Sequence, residues 1–449
     1  METAFLFTSA LLLIGLFLRA RVRVLQVCYV PAAIIGGLLG LAVLQVGRSA
    51  LVSGDWIPEQ SALLVGEFRT WPGWLISVVF AGLFLDKPGR SLSENLGGAA
   101  RQCIVVWIIS LGQVAIGLLA VLLIIQPLGL GPFGGDVPVY VSQLIEAGFV
   151  GGHGTSAALG RVWERMGYPE AQDLAFFMAT VGLIYSVVSG MVFVNLGVRR
   201  GWTRAGQVRE SLVTGVETGS RDSIGLGRVS AEVLDPLVFQ GLILGAAFAA
   251  GLALQALVGL VYDGLPLFMF TLLGGWLVRD AMRLLGIADL IDPDTVRRLV
   301  AAAMEFLIVA AIASLNLVVV AKAIVPLSVL LVVAFVWTGI CLVYVGRRLL
   351  PPEHWFELGI INYGMSTGVT ATGLMLLRIV DKDLDSGAAE NYALGGALSF
   401  PFVGGGVLTF AAFPFMIQGL GVGITACILV AATLAMFGIG LVIARNRST

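Results

Sequence analysis

Eleven apolar runs, most of them about as long as a bilayer's hydrocarbon core is thick, leave this chain few folds other than a helical bundle in a membrane. They lie at roughly 3–19, 26–47, 71–86, 103–126, 174–198, 236–261, 265–282, 299–321, 325–346, 391–417 and 421–444. The 449 residues are 58% hydrophobic and 12% charged, about half the charge of an average soluble domain. A net charge of −1 offers no basic footprint for nucleic acid. The four cysteines, Cys28, Cys103, Cys341 and Cys427, lie in or beside apolar runs without metal-ligand spacing, so they read as packing residues. Positive charge follows the first apolar run, at Arg19, Arg21 and Arg23, whereas a cleavable leader carries it first. That run is therefore expected to be a true span.

The Lys/Arg distribution sets the orientation. With the N-terminus outside and the C-terminus inside, 22 of the 27 basic residues fall on the cytoplasmic side or in the second irregular interval described below; the exceptions are Arg48, Arg69, Lys322, Arg161 and Arg165. The inner groups include Lys87, Arg90 and Arg101, six arginines in 199–235, and Arg279, Arg283, Arg297 and Arg298. Trp56, Trp71, Trp74 and Trp107, near span ends, fit an aromatic belt.

The long polar stretch 199–235 divides the chain, and the halves resemble each other. Phe80-Ala81-Gly82-Leu83-Phe84-Leu85 parallels Ile312-Ala313-Ser314-Leu315-Asn316-Leu317, and Pro31 with Gly36-Gly37 parallels Pro266 with Gly274-Gly275. Two intervals, 138–170 and 352–388, fit neither a span nor a plain loop, and each falls between the fourth and fifth spans of its half. An odd number of spans inverts the second half. The expected fold is thus an all-α polytopic membrane protein, an inverted repeat of two five-helix halves with one re-entrant hairpin each. Its parts are an N-terminal repeat at 1–198, a cytoplasmic linker at 199–235, a C-terminal repeat at 236–417, and an additional C-terminal span at 418–449. Inverted repeats with paired polar interruptions are typical of secondary transporters that hold substrate near the midplane.

The interruptions carry the chemistry. Gly151-Gly152-His153-Gly154-Thr155-Ser156 is poor helix interior, because each glycine costs about 1 kcal/mol relative to alanine. Backbone that leaves the helix at membrane depth must be buried in protein or line a cavity. Helices restarting after Gly154 and after Gly368 would offer N–H groups and positive dipole ends to a carboxylate. Hydroxyls and freed carbonyls would offer oxygen to a hard cation, the way calcium is held. The competing reading is that the small residues only permit close helix packing.

The chain resembles the bacterial sodium/glutamate symporter family in Gly151-Gly152-His153-Gly154-Thr155, in Gly364-Met365-Ser366-Thr367-Gly368-Val369-Thr370-Ala371-Thr372, and in Pro31-Ala32-Ala33-Ile34-Ile35-Gly36-Gly37-Leu38. The resemblance covers about residues 3–417. It implies a sodium-coupled symporter for glutamate or a related acidic amino acid or carboxylate, working by alternating access of elevator type. It also implies a homodimer in the bacterial inner membrane, with no resident cofactor and sodium as coupling ion. Ala371 stands where the family pattern has proline, the eleventh span is extra, and Arg279-Asp280 replaces smaller polar residues.

The residues expected at substrate are Gly151, Gly152, His153, Gly154, Thr155, Ser156, Gly368, Thr370, Thr372 and Arg279. For sodium they are Thr155, Ser156, Ser366, Thr367, Thr370, Asn316 and Glu305. His153 is expected to fix the loop or touch substrate, with proton relay as the alternative; His354 lies at a membrane edge beside prolines. Arg279 is read as a positive-inside anchor or as a bidentate partner of a substrate carboxylate. Glu305 is either interfacial or, like intramembrane carboxylates generally, functional. Glu146 and Asp173 flank the first interruption, and Asp173 reads as the acidic start of the fifth span. The alternatives to sodium symport are a proton-coupled or exchanging organic-anion carrier, a passive anion channel, and an intramembrane hydrolase using Ser156 and His153. No enzyme activity is expected, because no orienting carboxylate accompanies that pair.

Overall fold

The computed structural model describes residues 2–27, 30–47, 56–83, 85, 96–131, 137–203, 234–260, 267–381 and 386–445. Cys28, Arg48, Phe84, Lys87, Arg90, Pro266, Lys382, Arg447 and most of the 199–235 linker lie outside the described residues. Every regular element among the described residues is helical. In chain order these include α1 (Glu2–Arg21), α2 (Ala32–Gly47), α3 (Trp56–Leu83) and α4 (Leu96–Ala120), which runs on through a wide turn at Val121–Ile125. Then come α5 (Leu144–Gly148), α6 (Gly152–Arg165), α7 (Ala171–Arg199), α8 (Pro236–Gly259), α9 (Leu267–Leu284) and α10 (Pro293–Ala313). The last are α11 (Leu317–Lys322), α12 (Ile324–Ile340), α13 (Trp355–Thr367), α14 (Thr370–Val380), α15 (Ala388–Ser399) and α16 (Phe413–Arg445). Six helices among the described residues are long and apolar enough to cross a membrane, against the eleven runs expected. The protein is a multi-pass helical membrane protein.

The chain divides into two compact units, and each draws on both sequence halves. The first comprises Met1–Arg21, Pro31–Pro88 and Val216–Ser314. Local chemistry starts its helices: Asp235 caps α8 by accepting the Leu237 N–H at 2.9 Å, with Pro236 in the first turn. Asp292 and Pro293 open α10 the same way. The Gly-Gly pairs do the packing. A methyl on Gly36 would stand 2.7 Å from the Leu11 carbonyl of α1, and one on Gly37 would stand 2.8 Å from Ile312 Cβ of α10. Gly274 and Gly275 make the corresponding approaches, to the Ala247 carbonyl of α8 at 2.2 Å and the Ala81 carbonyl of α3 at 2.3 Å. Small residues let backbones meet where lipid supplies no hydrophobic drive between helices. Trp71 is buried against Phe68 and Phe306, with ring centroids 5.5 and 6.3 Å away. It is a core residue and not the belt residue expected; Trp74 is exposed.

The second unit comprises Val22–Val30, Gly89–Gly215 and Leu315–Thr449. Two expected spans are broken here. The run 299–321 ends as a helix at Ala313 and restarts at Leu317, because the Asn316 side chain accepts the Val318 and Val319 N–H groups and caps a new helix. The run 391–417 is helical to Ser399, irregular over 400–406, and helical again from Val407. Pro401 and the Gly404-Gly405-Gly406 run account for this, with Gly404 and Gly405 at φ 66 and 104. Within Phe413–Arg445 the non-helical Gly421 (φ 81, ψ 165) divides α16 into two helical segments, the second beginning where the eleventh run is expected to start.

Candidate functional site

Both sequence interruptions are helix–break–helix elements of the second unit. The first is α5, a break at 149–151, and α6; the second is α13, a break at Gly368-Val369, and α14. At 14, 13 and 11 residues, α6, α13 and α14 are each about 21 Å long or less, short of the ~30 Å hydrocarbon core. All thirteen residues of α13 are buried. Within the second element α13 and α14 press together through glycines, a methyl on Gly373 standing 2.4 Å from the Ile361 carbonyl.

The two breaks meet. A methyl on Gly152 would stand 3.3 Å from the Gly368 carbonyl oxygen and 3.7 Å from Val369 Cγ1. Gly152 has φ 63, a conformation in which glycine carries no side-chain penalty. Helix α6 starts here, three residues earlier than expected, so His153, Gly154 and Thr155 lie in its first turn. The N–H groups of Gly152, His153 and Gly154 find no acceptor among the described residues, as the start of a helix requires. The Val369 and Thr370 N–H groups at the start of α14 are in the same position. The starts of two helices therefore converge on one place.

Gln113 of α4, fully buried, ties the breaks together. Its Nε2 donates to the Ser366 carbonyl at 2.8 Å, and its Oε1 accepts the Val150 N–H at 3.2 Å. A carbonyl can only accept and an N–H only donate, so the amide has one workable orientation. Ser186 of α7 adds a bond to the Gly364 carbonyl at 3.0 Å. Neither residue was among the expected site residues. The usable signal for Gln113 was a lone amide inside the apolar run 103–126, since polar groups at membrane depth are costly.

His153 is buried, with Nε2 3.1 Å from the Thr180 hydroxyl. Thr180 gives its own proton to the Phe176 carbonyl at 2.8 Å, so His153 Nε2 is the donor and Nδ1 carries the lone pair. Nδ1 has no partner. Ser156 donates to the Ala147 and Ala175 carbonyls at 3.1 and 3.2 Å. Ser366 and Thr367 donate back to the Tyr363 carbonyl within α13, at 3.3 and 2.6 Å. Their oxygens keep acceptor lone pairs. Thr372 is buried, whereas Thr370 is exposed, 3.2 Å from the Tyr392 hydroxyl. Asn316 caps α11, and its N–H donates to Asp173 Oδ1 at 2.9 Å. Asp173 lies in the first turn of α7, as expected.

Two expected residues, Arg279 and Glu305, belong to the first unit. Arg279 is half-buried, its guanidinium 3.8 Å from the carboxylate of its neighbour Asp280. Glu305 is exposed on α10, and the charge on Arg19 acts on it. Among the described residues no group of three or more His, Cys, Asp or Glu side chains forms a metal cluster. Cys103, Cys341 and Cys427 are free.

Paired glycine-rich breaks that present helix starts, with hydroxyls and carbonyls around them, are a carrier's equipment for an anion and a hard cation. The family comparison agrees: the sodium/glutamate symporter model matches residues 1–375. The chain belongs to the sodium/glutamate symporter family. The matched range takes in both units' first segments, the whole first interruption, and the second as far as the first half of α14. No significant match is found among curated proteins.

Proposed function

We propose that this protein imports glutamate or a closely related acidic amino acid or carboxylate with sodium, by alternating access. The observation that carries the reading is the meeting of two helix starts at Gly152 and at Gly368-Val369, held by Gln113. A carboxylate there would take the unpartnered N–H groups of Gly152, His153 and Gly154, with the dipole of α6 behind them. Substrate contacts are assigned to Gly151, Gly152, His153, Gly154, Thr155, Ser156, Gly368, Thr370 and Thr372. Sodium would draw on the oxygens of Thr155, Ser156, Ser366 and Thr367 and on break carbonyls.

In this reading the two interruptions are re-entrant hairpins of an inverted repeat. The short length of their arms and the matching approaches of the Gly36-Gly37 and Gly274-Gly275 pairs support it. An elevator mechanism follows naturally, since all of the proposed break residues lie in the second unit, which would carry the site as a body. The working form is a homodimer in a bacterial inner membrane, with the N-terminus outside and the C-terminus inside.

The test is uptake into proteoliposomes. An inward sodium gradient should drive accumulation of labelled glutamate, and replacing sodium by choline should abolish it. Accumulation that persists in choline refutes sodium coupling and leaves the proton-coupled or exchanging carrier; flux that equilibrates without accumulating leaves the passive channel.

A further inference from the structure

Glu146 is a carboxylate that the reading above leaves unused. It lies in α5, wholly buried, and its backbone carbonyl accepts the Gly151 N–H at 2.9 Å, one residue before Gly152. Its Oε1 accepts the Thr409 hydroxyl at 2.7 Å, and that hydroxyl accepts the Gly405 N–H at 3.1 Å. Gln143 donates to the Thr409 carbonyl at 2.8 Å, and the Gln143 side chain and the Gly404 backbone also offer N–H groups to the carboxylate. No positively charged side chain among the described residues pairs with it.

Among the described residues, Glu146 Oε2, Gln143 Oε1 and Ser110 Oγ, all buried around this loop, have no donor or acceptor at full hydrogen-bond geometry. The Gly404–Gly405 turn brings their elements together. A methyl on Gly404 would stand 3.7 Å from Ser110 Oγ, and one on Gly405 would stand 2.6 Å from Thr155 Oγ1. An unpartnered buried acceptor costs about 1–3 kcal/mol, and an ionised carboxylate without a counter-charge costs several more. One negative charge among neutral oxygens is a donor set for a hard cation of low charge. A bound cation would answer the unpaired charge and the unpaired acceptors together.

We propose that Glu146, with Gln143 and Ser110, seats a sodium ion beneath the loop that runs from Gly404 to Thr409. The inference rests on the sodium-symport reading and names a carboxylate for the coupling ion. That loop lies beyond residues 1–375, so a stretch outside the family match would close the seat. Through the Gly151–Glu146 backbone bond, occupancy would bear on the break at which substrate is held.

The test is a sodium titration of the purified protein by thermal shift, at ionic strength held constant with choline, alongside uptake. Wild type should be stabilised by sodium. Glu146→Gln, which keeps size and removes charge, should lose that stabilisation, and its half-saturating sodium concentration in uptake should rise about tenfold or more. Glu146→Asp keeps the charge but withdraws it by one methylene, and should give an intermediate rise; it carries the test if the Gln variant does not fold. An unchanged sodium response in either folded variant overturns the proposal, and if its pH profile is flattened instead, the carboxyl is a proton carrier. A wild type that neither responds to sodium nor needs it for uptake would overturn the underlying reading, a result distinct from a responsive wild type with equally responsive variants.

Discussion

Gln113→Leu removes the side chain that joins the two breaks while nearly preserving its volume. The substitution leaves the Val150 N–H and the Ser366 carbonyl without the partners they now have at 3.2 and 2.8 Å. Gln113 is wholly buried, so water does not replace the amide. Each orphaned group costs about 1–3 kcal/mol, for a total of about 2–6 kcal/mol. A domain of 150–250 residues loses about 2–4 °C of Tm per kcal/mol, which puts the fall on the order of 5–20 °C. Thermal unfolding in detergent measures this, and glutamate uptake should fall with it because both breaks lose their common tether. Gln113→Glu is the control: a protonated glutamic acid keeps an acceptor and an O–H donor, so it should fall less. A Tm within about 2 °C of wild type, with uptake intact, would refute the idea that Gln113 holds the breaks in place.

Two further outcomes follow from the first unit. Gly37→Ala places a methyl 2.8 Å from Ile312 Cβ and should cost about 1–3 kcal/mol by overpacking. Adding Ile312→Ala should recover about 0.5–3 kcal/mol of coupling in a thermal-unfolding cycle, whereas strictly additive effects would show that the two residues do not compete for space. Arg279→Lys should leave glutamate affinity within about twofold, as a half-buried anchor beside Asp280 predicts. A tenfold rise in Kd would instead assign the guanidinium to substrate.

Much of the helical content was legible before any coordinates, because apolar runs of bilayer length have few alternatives to the helix. The two interruptions were legible too, as glycine and hydroxyl strings where lipid-facing helix would not place them. The broken runs were harder to read. Across 299–321 the sequence is apolar enough to span, yet Asn316 is well suited to capping and uses its side chain to start a new helix. Across 391–417, hydropathy averaged over the run hides Pro401 and the three glycines after it. Residues 56–70 were missed as helix for the opposite reason, since Glu59, Glu67 and Arg69 depress the apolar signal while leaving helix propensity intact.

The site divides along the same line. Composition alone placed the polar backbone at Gly151–Ser156 and Gly364–Thr372, because a freed N–H or carbonyl in a membrane must be answered by something. It could not show that Gly152 stands against the Gly368 carbonyl, that one amide on α4 serves both breaks, or that Arg279 and Glu305 belong to the other unit. The Gly152–Gly368 and Gln113–Ser366 contacts join residues more than 200 positions apart, and local pattern carries no information about which distant groups complete each other's hydrogen bonds. The sequence by itself determined that this chain is a membrane-embedded helical protein with two polar breaks. Only the tertiary structure decided that the two breaks stand against each other and share Gln113, because the partners of buried polar groups are assigned by packing.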